Sequence, residues 1–318
     1  MKIKRYYIVG TIFVILIFSI YFFYKYTFKT VDSLNPTSKI RETNEDNLTR
    51  QGVNTIGYGL KNIKGEHIDN GSNINPQNNI ISVNVSIDHN MDEHREYGLI
   101  VLEDFKQVPF KIENKQESTK YFFSMKPNTS RDIKVTLPVS SNTCEVIFLL
   151  IKKPNYKLKE MDFNRAGILE EVLSMRYSIN QNKNIRDMKE TIPDSIKKDG
   201  LNEFLFVTKN KDKLQSVFVE PEGKELALSI GNDTEKPMRF AIVAFKDWEQ
   251  SKIINNQDVL YTTVSSGERQ LFDFNLPEVA KESNFQFIAL PFPYEVIQEN
   301  YISQQAFGSF RIVIQNKD

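Results

Sequence analysis

Two hydrophobic periods run through this chain, and a single uninterrupted apolar stretch opens it. The stretch is Tyr6–Tyr24, 19 residues without a charge between Arg5 and Lys25. As a helix it spans about 28 Å, near the hydrocarbon thickness of a bilayer. Tyr6, Tyr7, Tyr21 and Tyr24 stand at its ends, where amphipathic rings favour the headgroup layer. Lys2, Lys4 and Arg5 precede it and predict a cytoplasmic N-terminus, a bias reduced by Lys25 and Lys29 beyond it. A cleaved signal peptide ends in small residues, whereas this run ends in Phe22, Phe23 and Tyr24. The expectation is an uncleaved single-pass signal-anchor over residues 1–29, with the remainder outside the cytoplasm. Residues 30–50 are polar and read as a flexible stalk.

Beyond residue 51 the period becomes two. Val83, Val85 and Ile87 alternate with polar residues, as do Ile133, Val135 and Leu137, Leu226, Leu228 and Ile230, and Phe272, Phe274 and Leu276. Such alternation, bounded by Gly, Asn, Asp, Ser and Pro, predicts half-buried strands. The strands recur in the same order twice. Residues 83–107 align without gaps to 226–250, placing Asp104-Phe105 opposite Asp247-Trp248 and Gln107 opposite Gln250. Then 131–138 matches 270–277, 144–149 matches 285–290, and 174–179 matches 309–314. Gly52–Asn54 also resembles Gly200–Asn202, and 181–184 resembles 315–318. Chance alignment of alternating runs competes with duplication, but chance does not supply a shared order.

The prediction is a mainly β chain of two tandem β-sandwich domains related by an internal repeat, 51–184 and 200–318, joined by a charged linker over 185–199. The pattern resembles immunoglobulin-like sandwiches, a resemblance of pattern that transfers no site. A short helical insertion is expected at Arg165–Leu173, where Ile168, Leu169, Val172 and Leu173 recur at helical spacing.

Composition narrows the partners. Lys+Arg and Asp+Glu both number 41 in 318 residues, so no long-range field favours nucleic acid. The one cysteine, Cys144, excludes an intrachain disulfide and a cysteine metal cluster. An extracytoplasmic chain without disulfides, rich in Lys, Asn and Ile, points to a bacterial cell envelope.

Candidate chemistry is sparse. Asp88, Asn90 and Asp92 place oxygen ligands at alternate positions, a weak calcium pattern, but Glu93 stands where a calcium loop wants glycine. A polar hairpin loop is the simpler reading. His67, His89 and His94 belong to no catalytic motif, and the second unit has no histidine. Cys144 reads as a core residue, and Trp248 shares a packing role with Phe105. Asn-x-Ser/Thr triplets at Asn47, Asn70, Asn84, Asn128 and Asn232 follow from an Asn-rich composition. The function expected is non-catalytic binding or scaffolding, through a protein partner or an envelope complex. The alternative is an accessory enzyme or ligand-sensing domain with its site in the interdomain loops.

Overall fold

A computed structural model describes residues 54–113, 115–179, 188–201, 203–252 and 254–317, all within one compact unit, Gly52–Asp318. The apolar run 6–24 and the stalk lie outside the described residues. Among the described residues no helix is long and apolar enough to cross a membrane.

The alternating segments form strands, and their apolar residues meet in pairs of sheets. In the first half one sheet has the order β2-β1-β4-β9-β7, with β1 Thr55–Lys61, β2 His67–Ile68, β4 Ile80–Asn90, β7 Lys111–Ile112 and β9 Thr129–Pro138. The facing sheet has the order β3-β11-β10-β5-β6, and β8 also pairs with β5. Its strands are β3 Asn73–Ile74, β5 Arg95–Glu103, β6 Lys106–Gln107, β8 Lys120–Met125, β10 Glu145–Lys152 and β11 Val172–Ile179. Val83, Val85, Ile87, Ile133, Val135 and Leu137 point between the sheets and bury against Tyr97, Val101, Phe148 and Tyr177. Removing so much apolar surface from water is what closes the sandwich.

The second half repeats this order. Strands β13 Phe206–Thr208, β15 Glu225–Gly231 and β19 Arg269–Asn275 take the places of β1, β4 and β9. In the facing sheet, β14 Val219–Pro221, β22 Ile312–Gln315, β20 Ser283–Pro291, β16 Met238–Lys246 and β17 Glu249–Ser251 run in the order of β3-β11-β10-β5-β6. Strand β18 Leu260–Val264 pairs with β16 as β8 does with β5, and β21 Phe307–Gly308 adds to β20. Both halves carry one parallel pair of strands, β3 with β11 and β14 with β22.

Three expectations need correction. The linker is not wholly connecting chain: Ser195–Lys197 forms β12 and pairs with β19. There it takes the flank that β7 takes on β9, because Asp194 and Asp199 dock on that strand through the Leu271 carbonyl and Arg269. The helix α1 spans Phe163–Glu170, ending before Val172 and Leu173, which begin β11. Asp162 caps it by accepting from the Arg165 N–H, and Glu171 is already extended. Third, Val146 lies opposite Glu103 and Phe285 opposite Lys246, so Val146 rather than Cys144 corresponds to Phe285 on its side of the ladder. A slip of two residues preserves which face is apolar, so alternation could not detect it. Cys144 accordingly precedes β10, half-buried rather than in the core.

The two sandwiches pack through the outer faces of their β5/β10 and β16/β20 sheets. Ile100, Leu102, Ile147, Leu149 and Ile151 meet Ala241, Val243, Phe245, Ile288 and Leu290 in one buried cluster. Continuous apolar runs such as Leu99–Leu102 and Val146–Ile151 are therefore buried on both faces. Hydrogen bonds cross this face reciprocally. The Gln107 N–H donates to Gln250 Oε1 and the Gln250 N–H to Gln107 Oε1, each at 2.6 Å. The Gln107 amide also donates to the Trp248 carbonyl and the Gln250 amide to the Phe105 carbonyl. Phe105 and Trp248 both have φ of 67°, held in tight hairpin turns. Asp104 and Asp247 steady these turns by accepting from the Glu145 and Asn284 N–H groups.

Candidate functional site

Each sandwich sends a long loop over the other. The loop carrying α1, residues 153–171, packs Leu158, Ala166 and Leu169 against Phe218. The loop 292–306 returns over the first sandwich, where the Gln304 carbonyl accepts from Ser174 Oγ at 2.7 Å. The first loop meets β21 tightly at Gly308, where a Cβ would stand 2.1 Å from the Glu170 carbonyl oxygen. Beside this clasp a cleft of about 770 Å³ opens between the sandwiches, a size suited to a small ligand or a short peptide.

From the first sandwich the cleft takes Ile56 and Tyr58 of β1, Met91, Arg95, Lys152, Gly167, Ile168 and residues 170–173. From the second it takes 203–205, Tyr301 and 305–308. Tyr301 is 71% exposed and Phe204 half-buried, so the rim offers aromatic surface. Arg95 is paired with Glu93, and Lys152 with Glu171. Burial pushes the Lys152 ammonium below its ordinary pKa, against the pull of Glu171. Burial, then the charge of Glu203, pushes the Glu170 carboxyl up to about 7. Partial burial, with Tyr301 and Glu171 near, pushes the Tyr58 phenol up to about 12. The cleft thus gathers titratable groups from both halves, the usual setting of a binding site.

The sequence candidates fall elsewhere. Asp88 is exposed on β4 beside Gly57, and Asp92 accepts from the Asn128 amide at 3.1 Å. Among the described residues no group of three or more His, Cys, Asp or Glu converges on a metal position. His89 is fully buried, its Nδ1 2.8 Å from the Tyr97 hydroxyl and its Nε2 2.7 Å from the Glu93 carbonyl. It braces the turn that carries Arg95. Cys144 Sγ lies 3.5 Å from the Asn142 carbonyl. Trp248 packs in the interface, where its Nε1–H donates to the Pro154 carbonyl at 2.8 Å. Sequence reasoning missed the cleft residues. The available signal was the continuous apolar runs, which marked strands covered on both faces and so a junction between the halves.

No family model matches the chain, and no curated relative matches it. Solved structures with some likeness include the YadV chaperone, 11% identical, covering 80% of this chain and 96% of its own, with a TM-score of 0.22. Salmonella enterica SafA pilin in complex with the SafB chaperone is 10% identical over 81% and 96%, at 0.23. The E. coli chaperone DraB is 9% identical over 81% and 97%, also at 0.23. These scores are too low for any of the three to lend this chain a function.

Proposed function

We propose that this chain is a non-catalytic binding protein of a bacterial cell envelope, held by residues 6–24 and presenting two immunoglobulin-like sandwiches outside the cytoplasm. The strand order supports the immunoglobulin-like reading: β1-β4-β9 faces β11-β10-β5, and β3 runs parallel to β11. The reciprocal Gln107 and Gln250 contacts support a single module copied and diverged. The observation that carries the function is the cleft of about 770 Å³ at the junction, built from both halves and lined by aromatic and ionisable side chains. Binding there makes the paired sandwiches one functional body rather than two beads on a stalk.

Photo-crosslinking on the full chain in its membrane tests this reading. A photoreactive side chain at Tyr301, in the cleft, should capture a defined partner. The same probe at Ile192, exposed outside the cleft, should not. Equal capture from both positions would overturn the assignment. A reporter fused after Asp318 tests the topology, and activity restricted to the cytoplasm would contradict it.

A further inference from the structure

We propose that the cleft receives an extended peptide segment bearing a basic side chain, added as a strand to the open edge of β1. This rests on the cleft being the binding site. On the side of β1 away from β4, the Asn62 N–H donates to the Glu66 carbonyl at 2.8 Å. Backbone direction alternates along a strand, so Leu60, Tyr58 and Ile56 turn their N–H and C=O groups to that same side. Pairing with β2 stops at Leu60 opposite Ile68. Among the described residues no backbone hydrogen bond takes up Ile56 or Tyr58 there. Both residues line the cleft, so unpaired strand edge and cavity coincide. Main-chain pairing is how an exposed edge binds an extended segment, with side-chain pockets adding selectivity.

Charge selects the side chain. The cleft's two cations already have partners, Arg95 with Glu93 and Lys152 with Glu171. Glu170 and Glu203 form no ion pair among the described residues, and they come from opposite sandwiches. A lysine or arginine reaching between them would form charge-assisted hydrogen bonds to carboxylates of both halves and bridge them. The upward shift of the Glu170 pKa agrees with a carboxyl that lacks such a cation.

The test uses the full chain in detergent micelles and three labelled decapeptides. The first alternates Thr and Val around one central Lys, the second has Glu in place of that Lys, and the third is the first with alternate backbone nitrogens methylated. The Lys peptide should bind, with either comparator at least about tenfold weaker. Hydrogen exchange at Ile56 and Tyr58 should slow with the Lys peptide alone. The double variant Glu170→Gln, Glu203→Gln should erase the preference for Lys over Glu while keeping the dependence on backbone N–H groups. Equal binding of the methylated peptide, or unchanged exchange at Ile56 and Tyr58, would overturn strand addition. If crosslinking from Tyr301 still captures a partner in that case, the cleft survives as a site and only its occupant is wrong. If that crosslinking fails as well, the cleft reading falls with it.

Discussion

Arg176 and Arg311 hold matching places, on β11 and just before β22, and their guanidinium groups are buried in different ways. Arg176 is fully buried and its Nε donates to Glu145 Oε1 at 2.7 Å. The other Glu145 oxygen accepts from the Tyr294 N–H at 2.9 Å, so this ion pair also fastens the second sandwich's loop. In the second half the position of Glu145 is taken by Asn284, whose N–H likewise donates to the turn aspartate. Arg176 Nη1 also donates to the Pro291 carbonyl at 2.6 Å, whereas Arg311, with no ion pair among the described residues, donates to the carbonyls of Lys152, Lys153 and Leu169, with its guanidinium 4.6 Å from the Trp248 ring centroid. Arg311 Nε and Asn284 Oδ1, like Arg176 Nη2, are buried without a hydrogen-bond partner among the described residues. Burial alone pushes the Arg311 pKa down to about 9. The same strand geometry thus tolerates a paired charge on one side and a charge held by carbonyl dipoles and an aromatic face on the other. The interface, not the carboxylate, is the shared requirement.

That contrast is broken most directly by deleting each partner. Glu145→Ala should cost about 3–5 kcal/mol, because it strands a buried guanidinium. Asn284→Ala should cost only about 1–2 kcal/mol for its lost bonds to the Pro154 and Tyr156 carbonyls. Equal losses in denaturant unfolding would show that the two stations do not differ. Next in size, Gly308→Ala should destabilise by about 2–4 kcal/mol, since its Cβ meets backbone that cannot swing aside. Gln107→Ala and Gln250→Ala should each cost about 1–2 kcal/mol. Their losses should match, because each amide makes the same bonds to the opposite half, and a marked inequality would count against that symmetry.

An effect of the same modest size concerns pH. The Glu170 carboxyl is raised from 4.5 to about 7 in the folded chain, so the folded state holds a proton that the unfolded state has released. Its contribution is fully present below about pH 4.5 and is lost as pH rises through about 7. Because the group is partly exposed, the loss should be about 1–2 kcal/mol. Glu170→Gln should flatten that part of the stability profile, and an unchanged slope would exclude this carboxyl as its source.

Much of the fold was legible from alternation. Val83, Val85, Ile87 and their counterparts Leu226, Leu228 and Ile230 line the two cores as their period requires. Register was only partly legible, since moving Cys144 two positions leaves every face unchanged. The cleft was not legible. It depends on Tyr58, Glu170, Glu203 and Tyr301 meeting from distant parts of the chain, and none of them stands in a local motif. Histidines and an acidic loop drew notice because chemistry is visible residue by residue, whereas an open strand edge is a property of what does not pair.

The two sandwiches share one buried face and should open as one cooperative body, with the cleft at their junction. Hydrogen exchange in the full chain carrying Trp248→Ala tests it most directly, read at β10 in the first sandwich and β20 in the second. Trp248 belongs to the second half but packs under the Arg311 guanidinium and bonds to Pro154 of the first. Protection should fall in both strands by similar factors. A loss confined to β20, with β10 protected as before, would contradict the account.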